Sequence, residues 1–169
     1  DEATVRRRAA GAPILHLAAH GIVDAVDPMR SGVVLAPGKG LAAGDGRWTL
    51  REIQADRFNA DLVTISACES GLGPISADGV MGLSRAFLVA GARSVLVSLW
   101  RVADIPTRFQ MERFYHALAS GEDKASALRR AQLDTLVALR HGDIRTHDGR
   151  PLRDTPALWA PFVLIGESR

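Results

Sequence analysis

Two residues of reactive type stand out, the single cysteine, Cys68, and the histidine His20 that lies 48 positions before it. A thiol becomes a nucleophile when part of it is ionised and when an acid can protonate the leaving group, and an imidazole can supply both functions. Each residue directly follows a short apolar segment. The pair could therefore cleave an acyl bond such as a peptide from positions at the ends of two strands.

The residue types alone leave plainer interpretations open. A free cysteine is commonly a buried, inert residue, and a loop histidine can simply bond a nearby carbonyl. His16 competes with His20 as the base, but it lies inside the apolar segment, where we expect a packing role. Gly21 either forms a turn or lets a substrate approach the backbone, in which case its N–H and that of Cys68 could form an oxyanion hole.

The elements that would position these residues follow from the apolar pattern. Apolar residues at helical spacing predict helices over residues 50–57, 80–90, 105–119 and 124–140. Apolar runs without strict alternation are typical of strands buried on both faces. These runs cover residues 14–19, 33–35, 62–66, 94–99 and 162–165. The alternation predicts an α/β fold with a mostly parallel sheet sandwiched by helices.

Polar or reactive clusters follow three of the predicted strands, at residues 20–21, 66–71 and 100–104. Chemistry in such sheets collects at the carboxyl edge, so we expect the three clusters to meet there. The segments 38–46, 71–79 and 141–156 are rich in Gly, Asp and Pro and are predicted to be loops. We also expect Gly91 to end the helix before it in the left-handed conformation, and Asp104 and Asp123 to be N-caps.

Composition excludes several classes of function. The formal charge of +2 and the scattered arginines do not indicate a nucleic-acid surface, and we expect residues 6–8, three arginines, to be a solvated or frayed terminus. No segment resembles a membrane span or a signal peptide, so we expect a cytoplasmic protein. One cysteine excludes an intrachain disulfide framework and a multi-cysteine metal site, and we expect no metal or cofactor.

Several ordered segments resemble the CHAT domains, caspase-like proteases that are related to separase and commonly fused behind tetratricopeptide repeats. The segments span about 150 residues, and together they make a specific match. They are residues 15–21 (LHLAAHG), 60–70 (ADLVTISACES), 79–92 (GVMGLSRAFLVAGA), 98–104 (SLWRVAD), 114–115, 127–128 and 159–162 (WAPF).

The resemblance implies a caspase-haemoglobinase fold and the activity of a cysteine endopeptidase. Cys68 would attack the scissile carbonyl, and His20 would protonate the leaving amine and later activate water. The backbone amides of Gly21 and Cys68 would hold the oxyanion, and no catalytic carboxylate is required.

The resemblance also implies substrate contacts. Some caspase-like proteases that prefer a basic P1 residue carry an Asp two positions before the cysteine, and Ser66 at that position counts against the same preference here. Asp104 could meet a basic side chain and Trp100 an apolar one. The alternatives are a helix cap for Asp104 and a core position for Trp100.

The resemblance places residues 1–169 in the C-terminal, catalytic part of such a domain. The first residue is Asp and no strand precedes Ile14, so we expect earlier fold elements and a repeat domain to lie outside this chain. The expected partners are a protein substrate, of which a gasdermin-like pore former is one example, and a regulator acting through the repeats. We expect an activator to order the loop 71–79 and so gate the cleft.

Three other classes of function compete with a cysteine endopeptidase. A caspase-like scaffold that binds peptides without cleaving them is the main alternative, and the presence of both Cys68 and His20 counts against it. A nucleotide-binding domain would need a glycine-rich phosphate loop, and neither G-x-G-x-x-G nor G-x-x-x-x-G-K-[ST] occurs. A serine hydrolase would need a G-x-S-x-G elbow, which is also absent from the sequence.

Overall fold

The structure is a computed structural model that describes residues 1–38, 44–66 and 77–169. The chain divides into two compact units, Asp1–Arg101 with Ile165–Glu167, and Val102–Leu164 with Ser168–Arg169. The helices and strands in chain order are α1 Glu2–Ala9, β1 Ile14–Leu17, β2 His20–Ile22, a 3-10 turn Pro28–Arg30, β3 Gly32–Val34, β4 Arg47–Thr49, α2 Leu50–Ala55, β5 Leu62–Ile65, α3 Ala77–Val89, β6 Ser94–Ser98, α4 Asp104–Ala119, α5 Lys124–His141, α6 Pro156–Trp159 and β7 Phe162–Gly166.

The main sheet has the strand order β1-β5-β6-β7. Strand β5 pairs in parallel with β1 on one side and with β6 on the other. Every residue of β5 and β6 is buried, so both faces of the sheet are covered there. The N–H of Glu167 donates to the carbonyl of Arg93 at 3.0 Å, which sets the end of β7 beside the start of β6, as in an antiparallel pair. The predicted mixed α/β fold with a mostly parallel sheet is confirmed.

A second, antiparallel sheet has the order β2-β3-β4. The prediction that residues 33–35 belong to the parallel sheet was wrong, because Val33 and Val34 lie in the middle strand of this second sheet. A run of three apolar residues shows that a strand is buried but not which partner it pairs with. Strands β2 and β4 were not predicted, since each has three residues and mixed polarity.

The first helix contradicts the expectation of a frayed terminus. Arg6 forms a two-point ion pair with Asp56, with Nη2 to Oδ1 at 2.7 Å and Nε to Oδ2 at 3.0 Å. The Glu2 side chain is almost fully buried and accepts a hydrogen bond from the N–H of Gly46 at 3.2 Å. Arg7 and Arg8 are exposed, as expected. Charged residues therefore attach α1 to segments more than 40 positions away in the sequence.

An aromatic cluster forms the core of the first unit. Trp48 of β4 is fully buried, and its ring centroid lies 5.5 Å from that of Phe87 and 5.7 Å from that of Phe58, both edge to face. Phe87 lies in α3, which ends as predicted. Gly91 has φ +110°, its N–H donates to Leu88, and the next N–H donates to Phe87, which is the Schellman pattern.

Helix α2 begins with a capping box. The Thr49 hydroxyl accepts from the N–H of Glu52 at 3.3 Å, and the Glu52 carboxylate accepts from the N–H of Thr49 at 2.9 Å. The sequence T-x-x-E is the local signal for this start. Helix α2 therefore begins immediately where β4 ends.

The second unit contains α4, α5 and α6. The Asp123 carboxylate caps α5 by accepting from the N–H of Ser126 at 3.0 Å, as predicted. The prediction that Asp104 is an N-cap was wrong. Helix α4 begins at Asp104 itself, and the N-cap of α4 is Ala103, which makes no side-chain hydrogen bond. Buried Gln110 of α4 donates to the carbonyl of Trp159 at 2.7 Å.

Among the helices that the structure describes, none is both long and apolar enough to cross a bilayer.

Candidate active site

Three neighbouring strands of the main sheet end at paired residues, which form one row across the sheet. Leu17 of β1 pairs with Ile65 of β5, and Ile65 pairs with Val97 of β6. His20, Cys68 and Trp100 each stand three positions beyond this row in the sequence. The three strands therefore end at one edge of the sheet, as expected, whereas the meeting of the three clusters there stays a prediction. Cys68 itself lies outside the described residues.

His20 is an exposed residue of strand β2. It follows the end of β1 by three positions, as predicted, and it is itself the first residue of β2 rather than a loop residue. The residue pairs with Val34 of β3, and Gly21, half-buried, pairs with Val33. His20 therefore follows the parallel sheet in sequence but is positioned by the antiparallel one.

Close backbone packing holds the antiparallel sheet together. Gly32 of β3 pairs with Thr49 of β4, and a Cβ at Gly32 would lie 2.7 Å from the Thr49 Cα and closer still to the carbonyl oxygen of Trp48. Only glycine permits this approach. Because Trp48 is anchored in the aromatic core, the sheet that carries His20 is attached to the interior of the first unit.

The connection from β2 to β3 is closed by the carboxylate of Asp24. Its Oδ1 accepts from the N–H groups of Asp27 at 2.9 Å and Val26 at 3.0 Å. These two bonds, led by that of Asp27, lower the pKa of Asp24. The N–H of Asp24 in turn donates to the Ser31 hydroxyl at 2.9 Å. The turn therefore fixes the far end of the strand that begins with His20.

Ser66 lies at the carboxyl edge, one residue after β5, and is half-buried. Its N–H donates to the carbonyl of Leu17 at 3.1 Å, which extends the β1–β5 register by one step. Its hydroxyl oxygen lies 3.0 Å from Nε2 of His16. This contact was not predicted, because it joins residues 50 positions apart and requires the strand register to be known.

His16 is not only a packing residue. Part of its ring is exposed, yet burial of the remainder lowers its pKa, so the imidazole is neutral at neutral pH. It pairs with Thr64 across the strands, and Ser66 lies two residues after Thr64, just past the end of β5. Because side chains alternate between the faces of a strand, His16, Thr64 and Ser66 lie on one face of the sheet.

A third polar side chain, that of Ser98, lies on the same face of the sheet as His16 and Ser66. Thr64 pairs with Leu96, so the register places Ser98 of β6 beside Ser66 on the same face. The Ser98 side chain is buried, and its hydroxyl has no hydrogen-bond partner among the described residues. Buried hydroxyls are rarely left in this state. We call His16, Ser66 and Ser98 the edge row.

The other predicted substrate residues were Trp100 and Asp104. Trp100 is half-buried in a turn two residues after β6. Asp104 is exposed at the first position of α4, in the second unit. The substrate roles of Ser66, Trp100 and Asp104 and the oxyanion role of Gly21 and Cys68 stay predictions.

Within the described residues, no three His, Cys, Asp or Glu side chains are grouped so that they could hold a metal ion.

The parallel sheet with a histidine and a cysteine following adjacent strands defines an α/β protein with a candidate site at its carboxyl edge. The chain belongs to the CHAT domain family, whose model matches residues 1–167. The resemblance noted in the sequence is thereby confirmed.

Two curated relatives share most of this domain. Tetratricopeptide repeat protein 28 of Mus musculus is 33% identical over 110 residues, which is 65% of this chain and 4% of that protein. The protein of the same name from Homo sapiens is 34% identical over 105 residues, or 62% of this chain and 4% of that protein. The chain thus matches only a small part of these much longer relatives.

Proposed function

We propose that this chain is the catalytic part of a cysteine endopeptidase, with Cys68 as nucleophile and His20 as the general acid and base. One observation carries the proposal. The last paired residues of β1 and β5 are Leu17 and Ile65, and each catalytic candidate stands three positions further along its chain. Three residues reach about 10 Å at most, and neighbouring strands are about 5 Å apart. These distances support the proposal that His20 and Cys68 act on one peptide bond.

The reaction needs only the two side chains and backbone amides. The Cys68 thiolate attacks the carbonyl carbon, and the carbonyl π electrons move to oxygen, where the N–H groups of Gly21 and Cys68 would stabilise the charge. Collapse expels the amine, which takes its proton from the His20 imidazolium, and leaves a thioester. Water then attacks the thioester and gives its proton to His20. The thiolate departs, and the second product is a carboxylic acid.

Family membership supports the fold on which this chemistry rests, and the position of His20 supports its role. His20 is exposed on a strand that pairs with β3 and leads into a closed turn, so its backbone is held in place while its imidazole stays accessible. A general acid needs this combination, since it must meet a substrate from solvent without losing orientation.

We also propose that the substrate is a protein and that activity depends on a partner. The relatives are named for tetratricopeptide repeats, and repeat arrays form extended binding surfaces. In the whole protein, such repeats would bring a regulatory or substrate protein to the catalytic part.

The test is a positional-scanning library of fluorogenic tetrapeptides, applied to the full-length protein and to its Cys68→Ala and His20→Ala variants. We expect cleavage by the wild type and a loss of at least about a thousandfold in both variants. His147→Ala, an exposed loop histidine outside the site, is the matched control and should keep full activity. Cleavage that survives Cys68→Ala would contradict the proposal.

Iodoacetamide labelling distinguishes a protease from a scaffold that only binds peptides. The thiolate is the reactive form, so a histidine that acts on Cys68 should accelerate labelling near neutral pH. Labelling should slow in His20→Ala and stay unchanged in His147→Ala. Equal labelling rates in all three proteins, together with peptide binding and no cleavage, would favour the scaffold.

A further inference from the structure

We propose that His16 is a positioning residue for the substrate groove, which fixes the Ser66 hydroxyl through their hydrogen bond and, with Ser98, makes a subsite for an uncharged side chain. The inference rests on the proposed function, because it assigns the subsite beside the same nucleophile. His16 is a histidine of the site that the catalytic mechanism does not use. The contact between His16 and Ser66 carries the inference.

The contact lies at the carboxyl edge of the sheet, close in sequence to the proposed nucleophile. Ser66 is two positions before Cys68 in the sequence, and its backbone extends the register of β5 by one residue. At 3.0 Å the Ser66 oxygen and His16 Nε2 are at hydrogen-bond distance. A serine hydroxyl rotates freely unless a partner fixes it, so His16 determines which way the Ser66 oxygen offers its remaining donor or acceptor.

The charge of the edge row favours an uncharged ligand. Burial disfavours the imidazolium form of His16, and the two serines carry no charge. A lysine or arginine side chain placed against these groups would lose water and gain no counter-charge from them, which is costly in a partly buried site. An amide or hydroxyl side chain would lose less water and could exchange hydrogen bonds with the row.

Ser98 supplies the second, independent observation. Its hydroxyl is 1% exposed and has no hydrogen-bond partner within the described part of the chain. A buried polar group without a partner costs stability, and a ligand that supplies the partner recovers that cost. The register sets this hydroxyl beside Ser66. Among the described residues, the edge row therefore contains a hydroxyl whose hydrogen-bonding capacity is unused.

The test measures kcat and KM of the full-length protein with the best peptide of the library, for His16→Ala, Ser66→Ala and the double variant. We expect each single variant to raise KM about fivefold, the effect of one lost hydrogen bond, with a smaller change in kcat. The double variant should be no worse than either single one, because both remove the same contact. His16→Gln, which keeps a polar group of similar reach, should recover part of the loss.

Charge selection is tested by Ser66→Asp. The carboxylate supplies the counter-charge that the edge row lacks, so cleavage after lysine or arginine should rise about tenfold relative to cleavage after uncharged residues. The wild type should cleave poorly after both basic residues. A wild type that prefers lysine or arginine, or additive effects of His16→Ala and Ser66→Ala, would overturn the proposal.

A binding measurement keeps this inference separate from the proteolysis itself. Fluorescence anisotropy of labelled library peptides is recorded with Cys68→Ala alone and combined with His16→Ala. Weaker binding in the combined variant, with no cleavage by the wild type, would reject the protease and keep the subsite. Unchanged binding, or no binding of any peptide, would overturn the subsite.

Discussion

The guanidinium of Arg6 holds the carboxylate of Asp56 through two hydrogen bonds, although 50 positions separate the two residues. The same carboxylate accepts a bond from the indole N–H of Trp48 at 2.9 Å. The hydrogen bond to Asp56 is also the largest cause of the raised pKa of Arg6. The first helix is thereby attached to the strand that supports the sheet carrying His20.

We expect Arg6→Ala to lower the free energy of unfolding by about 1–2 kcal/mol, because it removes a two-point charged contact from a partly buried site. Urea unfolding followed by circular dichroism measures the change. Arg8→Ala, an exposed arginine of the same helix, should stay within about 0.5 kcal/mol of the wild type. Equal losses in the two variants would show that the contact with Asp56 has no special role.

Gly32→Ala should destabilise the antiparallel sheet. The new methyl group would meet the backbone of Trp48 and Thr49, and neither strand can move without breaking its pairing, so we expect a loss of roughly 1–3 kcal/mol. Gly11→Ala is the matched control, because a Cβ there has no atom within 4 Å. It should be neutral or slightly stabilising. If Gly32→Ala proves neutral, the sheet packs more loosely than described.

The cap of α5 predicts a pH dependence. Hydrogen bonds from the Ser126 side chain and then from its backbone N–H lower the pKa of Asp123. The charged form is therefore favoured by folding, and its contribution is present at pH 7 and lost as pH falls below about 4. The stability difference between the wild type and Asp123→Ala should shrink over that range. Asp123→Asn keeps a cap without a titrating group, and its stability relative to Asp123→Ala should not vary with pH.

Folding disfavours the charged form of His16, whereas it favours the charged form of Asp123. Burial lowers its pKa below 6.5, so the unfolded chain takes up the proton first as the pH falls. Folding should lose stability as the pH drops below about 6.5, and none of this loss should occur above it. His16→Gln should reduce the slope of unfolding free energy against pH below about pH 6.5. An unchanged slope would mean that His16 titrates normally in the folded protein.

The central strands and long helices were predictable because their signals are local. β5 and β6 are continuous apolar runs, and α5 has a cap, a helical apolar spacing and a glycine after its end. Their predicted bounds agree with the structure to within one residue. The mostly parallel sheet and the shared edge at which its strands end followed from these elements alone.

The elements that were missed depend on distant partners. Helix α1 is highly polar, and the contacts that attach it, those of Arg6 and Glu2, reach residues far along the chain. Strand β2 has three residues, and only its pairing with β3 makes it a strand. The link from His16 to Ser66 likewise exists only once β1 and β5 are in register. Two local signals could have improved the prediction, the capping-box spacing at Thr49 and the N-cap Asp1 before α1.

The common row of Leu17, Ile65 and Val97 has a consequence for how this site tolerates changes in chain length. The connections between the three strands can gain or lose residues without altering the offset at which His20, Cys68 and Trp100 follow the row. An insertion of one residue within any of the three short segments after the row would instead rotate or displace a single member of the set. We therefore expect changes in chain length to be tolerated in the connecting loops outside the helices and strands, and not in the three short segments that follow the row.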